Sequence, residues 1–184
     1  MRFAPTFAEH ITRYAFAMHH VYKRSVLDAG SKDGFGSQVL SWVAKDITLA
    51  DISELWLGAA GKKTYECPVS FVVSDFEVSF PEGEWDTVVA FEVIEHLANP
   101  EFFIENVAKH LKVGGKLVFS VPHLVANKEH KTLFDEEKIR GLISRFLRLD
   151  EFYVQDKEAL SGKPLYRGLK CYVGVAAKNS DDNA

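Results

Sequence analysis

Short apolar runs alternate with amphipathic stretches along most of this chain, and that alternation leaves few folds open. Ser25 to Ala29, Asp46 to Ala50, Ser70 to Val73, Thr87 to Phe91 and Lys116 to Val121 are too short and too β-branched for buried helices and read as strands. Between and around them lie helical stretches. Thr6 to Tyr22 repeats Phe7, Ile11, Tyr14, Met18 and Val21 at helical spacing, and Ser37 to Ala44 opens on a serine suited to an N-cap. Ser53 to Lys62, Pro100 to Leu111 and Asp135 to Leu147 follow, the second with proline at its start and Gly114–Gly115 beyond its end. Phe152 to Gln155 and Leu169 to Ala177 close the chain as two strands with no helix between them, so they are expected to run antiparallel. The sum is an α/β, doubly wound, mostly parallel seven-stranded sheet with a C-terminal antiparallel strand pair. In such sheets a ligand lies beyond the carboxyl ends of the strands, which directs attention to the loops there.

The 184 residues suit one domain, expected over residues 1–178, with residues 1–24 as an N-terminal lid helix and 179–184 as a disordered tail. Hydrophobic residues make up 47% and charged residues 26%, enough apolar material for one core. The longest apolar runs fall far short of a membrane span, and the N-terminus lacks a signal-peptide pattern. Cys67 and Cys171 show neither metal spacing nor a disulfide framework. A cytoplasmic location is expected. Net charge is −4, and Thr64 to Ala108 holds no Lys or Arg. The two basic clusters, in the first 24 residues and from Lys157 to Lys170, are small, so a nucleic-acid partner is disfavoured.

The loop after the first strand is VLDAGSKDGFGS, Val26 to Ser37, with glycines at 30, 34 and 36. A dinucleotide fingerprint needs a glycine two residues after Gly30, where Lys32 stands; counted from Gly34, its third glycine would fall at Val39. A nicotinamide cofactor fails in both registers. Asp28 at the strand end also fits a cationic amine better than a pyrophosphate. The second loop, LADIS, places Asp51 where a carboxylate can accept two hydrogen bonds from a ribose diol, or simply cap the next helix. The third, SDFE, offers Asp75 as an acceptor for an exocyclic amine and Phe76 as an apolar wall. The fourth is FEVIEHLANP, Phe91 to Pro100.

Taken together, VLDAGSKDGFG, LADIS, VVSDFE and EWDTVVAFEVIEHLANPEFFIENVAKHLKVGGKLVFSVPH resemble class I S-adenosylmethionine-dependent methyltransferases, from about Thr6 to Lys178. The EHITRYAFA and VLDAGSKDGFGS segments are similar to a bacterial and phage subgroup found beside glycan or cell-surface biosynthesis. The resemblance implies a Rossmann-like methyltransferase fold with S-adenosylmethionine as cofactor. It implies that Asp28, Gly30, Ser31 and Gly34 surround the methionine moiety, Asp51 holds the ribose and Ile52 lies against the adenine. Asp75 would meet the adenine amine beside Phe76; Phe91, Glu92 and His96 would flank the methyl group, and the Arg13–Tyr14 helix would cover the site. Lys32 stands where the family usually has glycine; its side chain turns outward, reaches the cofactor carboxylate, or weakens binding.

Methyl transfer is an in-line displacement in which alignment does most of the work. A base is required only where the acceptor must lose a proton, and His130, His123 and His96 are the candidates, with Tyr14 and Glu92 behind them. His96 could instead cap the following helix. The tryptophans Trp42, Trp56 and Trp85 read mostly as core, with Trp56 placed to border an adenine. No metal-ligand spacing stands out. The expected activity is methylation of an O or N atom on a small-molecule, sugar or cell-surface metabolite. A cofactor-binding adaptor or regulatory subunit without catalysis is the alternative. An open site on so short a chain also suits a macromolecular acceptor, or a partner subunit or the second copy of a homodimer that completes the pocket.

Overall fold

Among the described residues, eight strands form one sheet in the order β3-β2-β1-β4-β5-β8-β6-β7. The computed structural model describes residues 7–156, 159–161 and 171–179. The strands are β1 (Ser25–Ala29), β2 (Asp46–Asp51), β3 (Val69–Val73), β4 (Trp85–Phe91), β5 (Leu111–Pro122), β6 (Arg148–Asp156), β7 (Ala159–Ser161) and β8 (Cys171–Ala177). The helices are α1 (Phe7–Val21), α2 (Phe35–Ser41), α3 (Glu54–Ala60), α4 (Pro100–His110) and α5 (Glu136–Ser144), with a 3-10 turn at Ile94–His96. Strands β1 to β5 are mutually parallel, and β8 enters antiparallel between β5 and β6.

The expected sheet had seven strands; the eighth is β7, a three-residue strand folded back on β6. It is too short to carry a periodic signal of its own. β8 (CYVGVAA) is buried at every position because it has a strand on either side and lies inside the sheet. Thr6, Leu169, Lys170 and most of the expected tail lie outside the described residues.

Period-two alternation distributes the strands between two cores. Leu27, Ala29, Val88 and Ala90 face a cluster with Phe103, Ile104 and Ile139, beneath α4 and α5. Val26, Val89 and Phe91 face the other way, against Tyr14, Ala17, Leu40 and Leu57 from α1, α2 and α3. The helix starts are fixed by short polar side chains: Ser53 accepts from the Trp56 amide, Asn99 from Phe102 and Asp135 from Lys138.

Three local expectations change. Ser37 is not an N-cap: α2 starts at Phe35, and the Ser37 side chain turns inward to donate to Asp28 at 2.5 Å. Trp42, expected in the core, is 75% exposed, because α2 ends at Ser41 and the indole falls beyond its buried face. β5 begins at Leu111, where helix was expected to continue; Leu111 pairs with Trp85, and the ladder slips before Thr87 meets Lys116.

Candidate active site at the carboxyl edge of the sheet

The loops after β1, β2, β3 and β4 meet in a cleft of about 380 Å³, within the range of small-molecule sites. Gly30 (φ 72°) is where the first of them turns, and a β-carbon there would fall 2.5 Å from Val93 Cγ2. Only glycine lets the β1 and β4 loops approach so closely. The Gly30 and Ser31 amides donate to Ala50 O, which locks the loop to the end of β2.

Asp51 forms part of the cleft wall and is 6% exposed. Its Oδ2 accepts from the Lys32 amide and its Oδ1 from the Ser53 amide, both at 2.9 Å. Each carboxylate oxygen can take a second donor, so the group is fixed in place yet still able to bind. Lys32 contributes that amide from a left-handed backbone (φ 47°), the conformation a glycine would adopt most easily. Asp75 accepts from the Glu77 amide at 3.0 Å, and Phe76 packs edge-on against Phe103 at the cleft's inner wall. Ile52 and Trp56 line the outer wall and are 64% and 48% exposed.

Beneath the opposite wall is a buried polar cluster. Arg13, 1% exposed, donates to Gln155 Oε1 at 2.9 Å and Cys171 Sγ at 3.4 Å, and lies 3.8 Å from Glu92. Glu92 Oε1 also accepts from Ser120 Oγ at 3.0 Å and Cys171 Sγ at 3.1 Å. Burial, reinforced by the Glu92 charge, holds the Cys171 thiol well above its usual pKa. Glu92 is in turn presented to the cleft from a left-handed backbone (φ 56°).

The predicted residues divide accordingly. Gly30, Lys32, Asp51, Ile52, Asp75, Phe76, Glu92 and His96 all line the cleft. Tyr14, Asp28, Ser31, Gly34, Phe91, His123 and His130 are not among its lining residues. Asp28 is fully buried, and desolvation, opposed by the Ser37 hydrogen bond, pushes its pKa up to about 7. The helix expected as a lid is packed into the core instead: Arg13 and Tyr14 are both buried, and the Tyr14 ring meets Phe91 edge-on at 5.0 Å.

The histidines also separate. His123 Nδ1 lies 2.6 Å from the Tyr172 hydroxyl, apart from the cleft. His96 and His130 meet edge-to-face with centroids 5.0 Å apart. The loop carrying His130 is pinned to the 3-10 turn, since the Lys131 and Thr132 amides both donate to Glu95 O, at 2.9 and 3.0 Å.

Sequence reasoning missed Ser53, Ser74, Val93, Leu97 and the ion pair of Lys131 with Glu77, all on the cleft. Glu77 directly follows the Asp75–Phe76 pair and could have been found there; Lys131 comes from a distant loop and carries no local signal. It also missed Glu95. This side chain is 1% exposed, neither oxygen has a hydrogen-bond partner, and one oxygen groups with nitrogens of His96 and His130 within 4.8 Å. Burial first, then the Glu92 charge, pushes its pKa well up.

This sheet order, with its cleft built from the loops after the parallel strands, defines a Rossmann-like α/β protein. Residues 27–119 match the family model described as a methyltransferase domain, and the chain belongs to that family. Among curated proteins it is 29% identical over 124 residues to "Probable S-adenosylmethionine-dependent methyltransferase Rv3030" of Mycobacterium tuberculosis (strain ATCC 25618 / H37Rv), covering 62% of this chain and 45% of that one. It is 25% identical over 143 residues to the ubiquinone biosynthesis O-methyltransferase of Rickettsia akari, covering 73% and 57%. The chain thus spans about half the length of the curated relatives it matches.

Solved structures with the same fold include the N-methyltransferase NodS of Bradyrhizobium japonicum in complex with S-adenosyl-l-homocysteine. That likeness has a TM-score of 0.72 and 18% identity, covering 92% of this chain and 85% of that one. Another is from the complex of the Haloferax volcanii Trm112 methyltransferase activator with a methyltransferase, with TM-score 0.77 and 19% identity, covering 92% and 90%. At such identities the likeness concerns the fold. No helix among the described residues is long and apolar enough to cross a membrane.

Proposed function

We propose that this chain is an enzyme that transfers a methyl group from S-adenosylmethionine to an oxygen or nitrogen of a small-molecule, sugar or cell-surface metabolite. The observation that carries this reading is Asp51, held by two amides at the cleft wall with acceptor capacity to spare for a ribose diol. Asp75 is assigned to the adenine amine, with Ile52, Phe76 and Trp56 as apolar walls for the ring. Gly30, Lys32 and Glu92 surround the space left for the methionine end. Asp28 and Tyr14 support that end from beneath.

In the reaction an acceptor lone pair attacks the methyl carbon while the carbon–sulfur bond breaks towards sulfur, leaving S-adenosylhomocysteine. An acceptor hydroxyl must also give up its proton, and His96 is the imidazole on the cleft, with His130 beside it. His123, hydrogen-bonded to Tyr172, is given no part in this step. Glycan-type acceptors rest on the similarity of the opening segments to a glycan-associated subgroup. A partner subunit or second copy that completes the site is in keeping with β3 as an edge strand, its Phe71 and Val73 41% and 52% exposed.

The test is thermal stability with S-adenosylmethionine, S-adenosylhomocysteine and NADH in parallel, on wild type and Asp51→Ala. A ligand at 100 times its dissociation constant adds roughly 2.7 kcal/mol. Both adenosyl ligands should raise the wild-type melting temperature, NADH should not, and the variant should lose the response. No response in the wild type sinks the cofactor reading. A clear response without turnover on any acceptor favours the adaptor or regulatory role.

A further inference from the structure

We infer that Glu95, His96 and His130 form a binding site for a divalent first-row transition-metal ion beside the cleft. One ligand atom from each lies within 4.8 Å of the other two, and His96 Nε2 is 3.9 Å from Glu95 Oε1. The Nδ1 atoms are already committed. His96 Nδ1 faces Glu129 O at 3.0 Å and His130 Nδ1 faces Val125 O at 2.6 Å. A backbone carbonyl can only accept, so each Nδ1 carries a hydrogen, which leaves Nε2 as the ring atom available to an ion. Metal-binding histidines are commonly held by this kind of outer contact.

Glu95 gives the second, independent reason. A carboxyl group that is 1% exposed with both oxygens unpartnered lacks the partners that burial demands, and a bound cation supplies one. Two imidazoles and one carboxylate suit Zn²⁺, Co²⁺, Ni²⁺, Fe²⁺ or Mn²⁺ better than Mg²⁺ or Ca²⁺, which favour oxygen. Zinc–nitrogen bonds of about 2.0–2.1 Å require the three atoms to close by about an ångström. The His96 side chain, 37% exposed, has room to move.

Three protein ligands leave coordination positions free towards the cleft, where His96 already forms part of the wall. An acceptor hydroxyl bound there would lose its proton more readily, because the cation stabilises the alkoxide. That use of the ion rests on the methyl-transfer reading; the ion site itself does not.

The decisive experiment is titration of the chelator-stripped full chain with Co²⁺, following its visible absorption, with competition by Zn²⁺. We expect saturation at one ion per chain, weakened about tenfold or more in His130→Ala and in Glu95→Gln. His19→Ala, which alters an exposed imidazole on α1, should bind like wild type. Binding that is absent in the wild type, or unchanged in His130→Ala, overturns the proposal. S-adenosylhomocysteine is titrated into the same samples without metal. Absence of metal binding in the wild type, with intact S-adenosylhomocysteine binding, defeats the ion site alone. The reverse pattern defeats the methyl-transfer reading and leaves the ion site standing.

Discussion

The ring of Tyr14 rests on the backbone of Gly36: a β-carbon at position 36 would fall 1.8 Å from Tyr14 Cζ. This contact welds α1 to α2 and, through the edge-on stack of Tyr14 on Phe91, to β4. The last glycine of the loop is therefore a packing residue; the turn on the cleft belongs to Gly30.

Gly36→Ala should accordingly destabilise the protein. Alanine gains up to about 1 kcal/mol of helix propensity, but overpacking a buried ring costs about 1–3 kcal/mol, so the clash wins. Urea denaturation of Gly36→Ala, Tyr14→Ala and the double variant gives the coupling. In the Tyr14→Ala background the position 36 change should become neutral or stabilising. Additive losses would show that the ring contact is not the cause.

Asp28 makes stability depend on pH in a definite direction. Burial raises its folded pKa to about 7 from an ordinary value of 3.8. Between these values the folded state holds the proton more tightly, so stability falls as pH rises from about 4 to about 7 and then levels off. The contribution is on the order of a few kcal/mol. Asp150 works in another window: its hydrogen bond from Arg148 lowers its pKa, and the stability it adds is lost only as pH drops through the ordinary carboxylate range and below. Asp28→Asn should flatten the slope between pH 4 and 7 (about the two Asp28 values), leaving the part due to Glu95, whose pKa is also raised, and should leave the acid limb intact. Denaturation midpoints across that range decide it; parallel wild-type and variant curves would rule Asp28 out.

Lys32 occupies a left-handed backbone at the point where its amide fixes Asp51. Lys32→Gly keeps that amide and releases the conformational strain, so stability should stay level or rise slightly once the looser unfolded chain is counted. Lys32→Val should cost about 1–2 kcal/mol, because a β-branched residue tolerates this conformation poorly. It should also weaken S-adenosylhomocysteine binding by disturbing Asp51. Chemical denaturation and calorimetry on the two variants test both parts; equal stability of the glycine and valine forms would refute the argument.

Much of this molecule is determined by its sequence alone. The alternation of strands and helices and the carboxyl-edge loops follow from local periodicity and turn chemistry, and the family resemblance of those loops singled out Gly30, Asp51, Asp75 and Glu92, which line one cleft. These are short-range properties, set by neighbours a few residues away. Tertiary structure decided the rest. It decided that Asp28 on β1 and Tyr14 on α1 are buried and that Trp42 faces solvent, because burial depends on how α1 and α2 pack against the sheet. It decided that His130 meets His96 while His123 is taken up by Tyr172. That choice lies in two backbone hydrogen bonds to Glu95 O from a loop remote in sequence, a long-range pairing that no local pattern encodes.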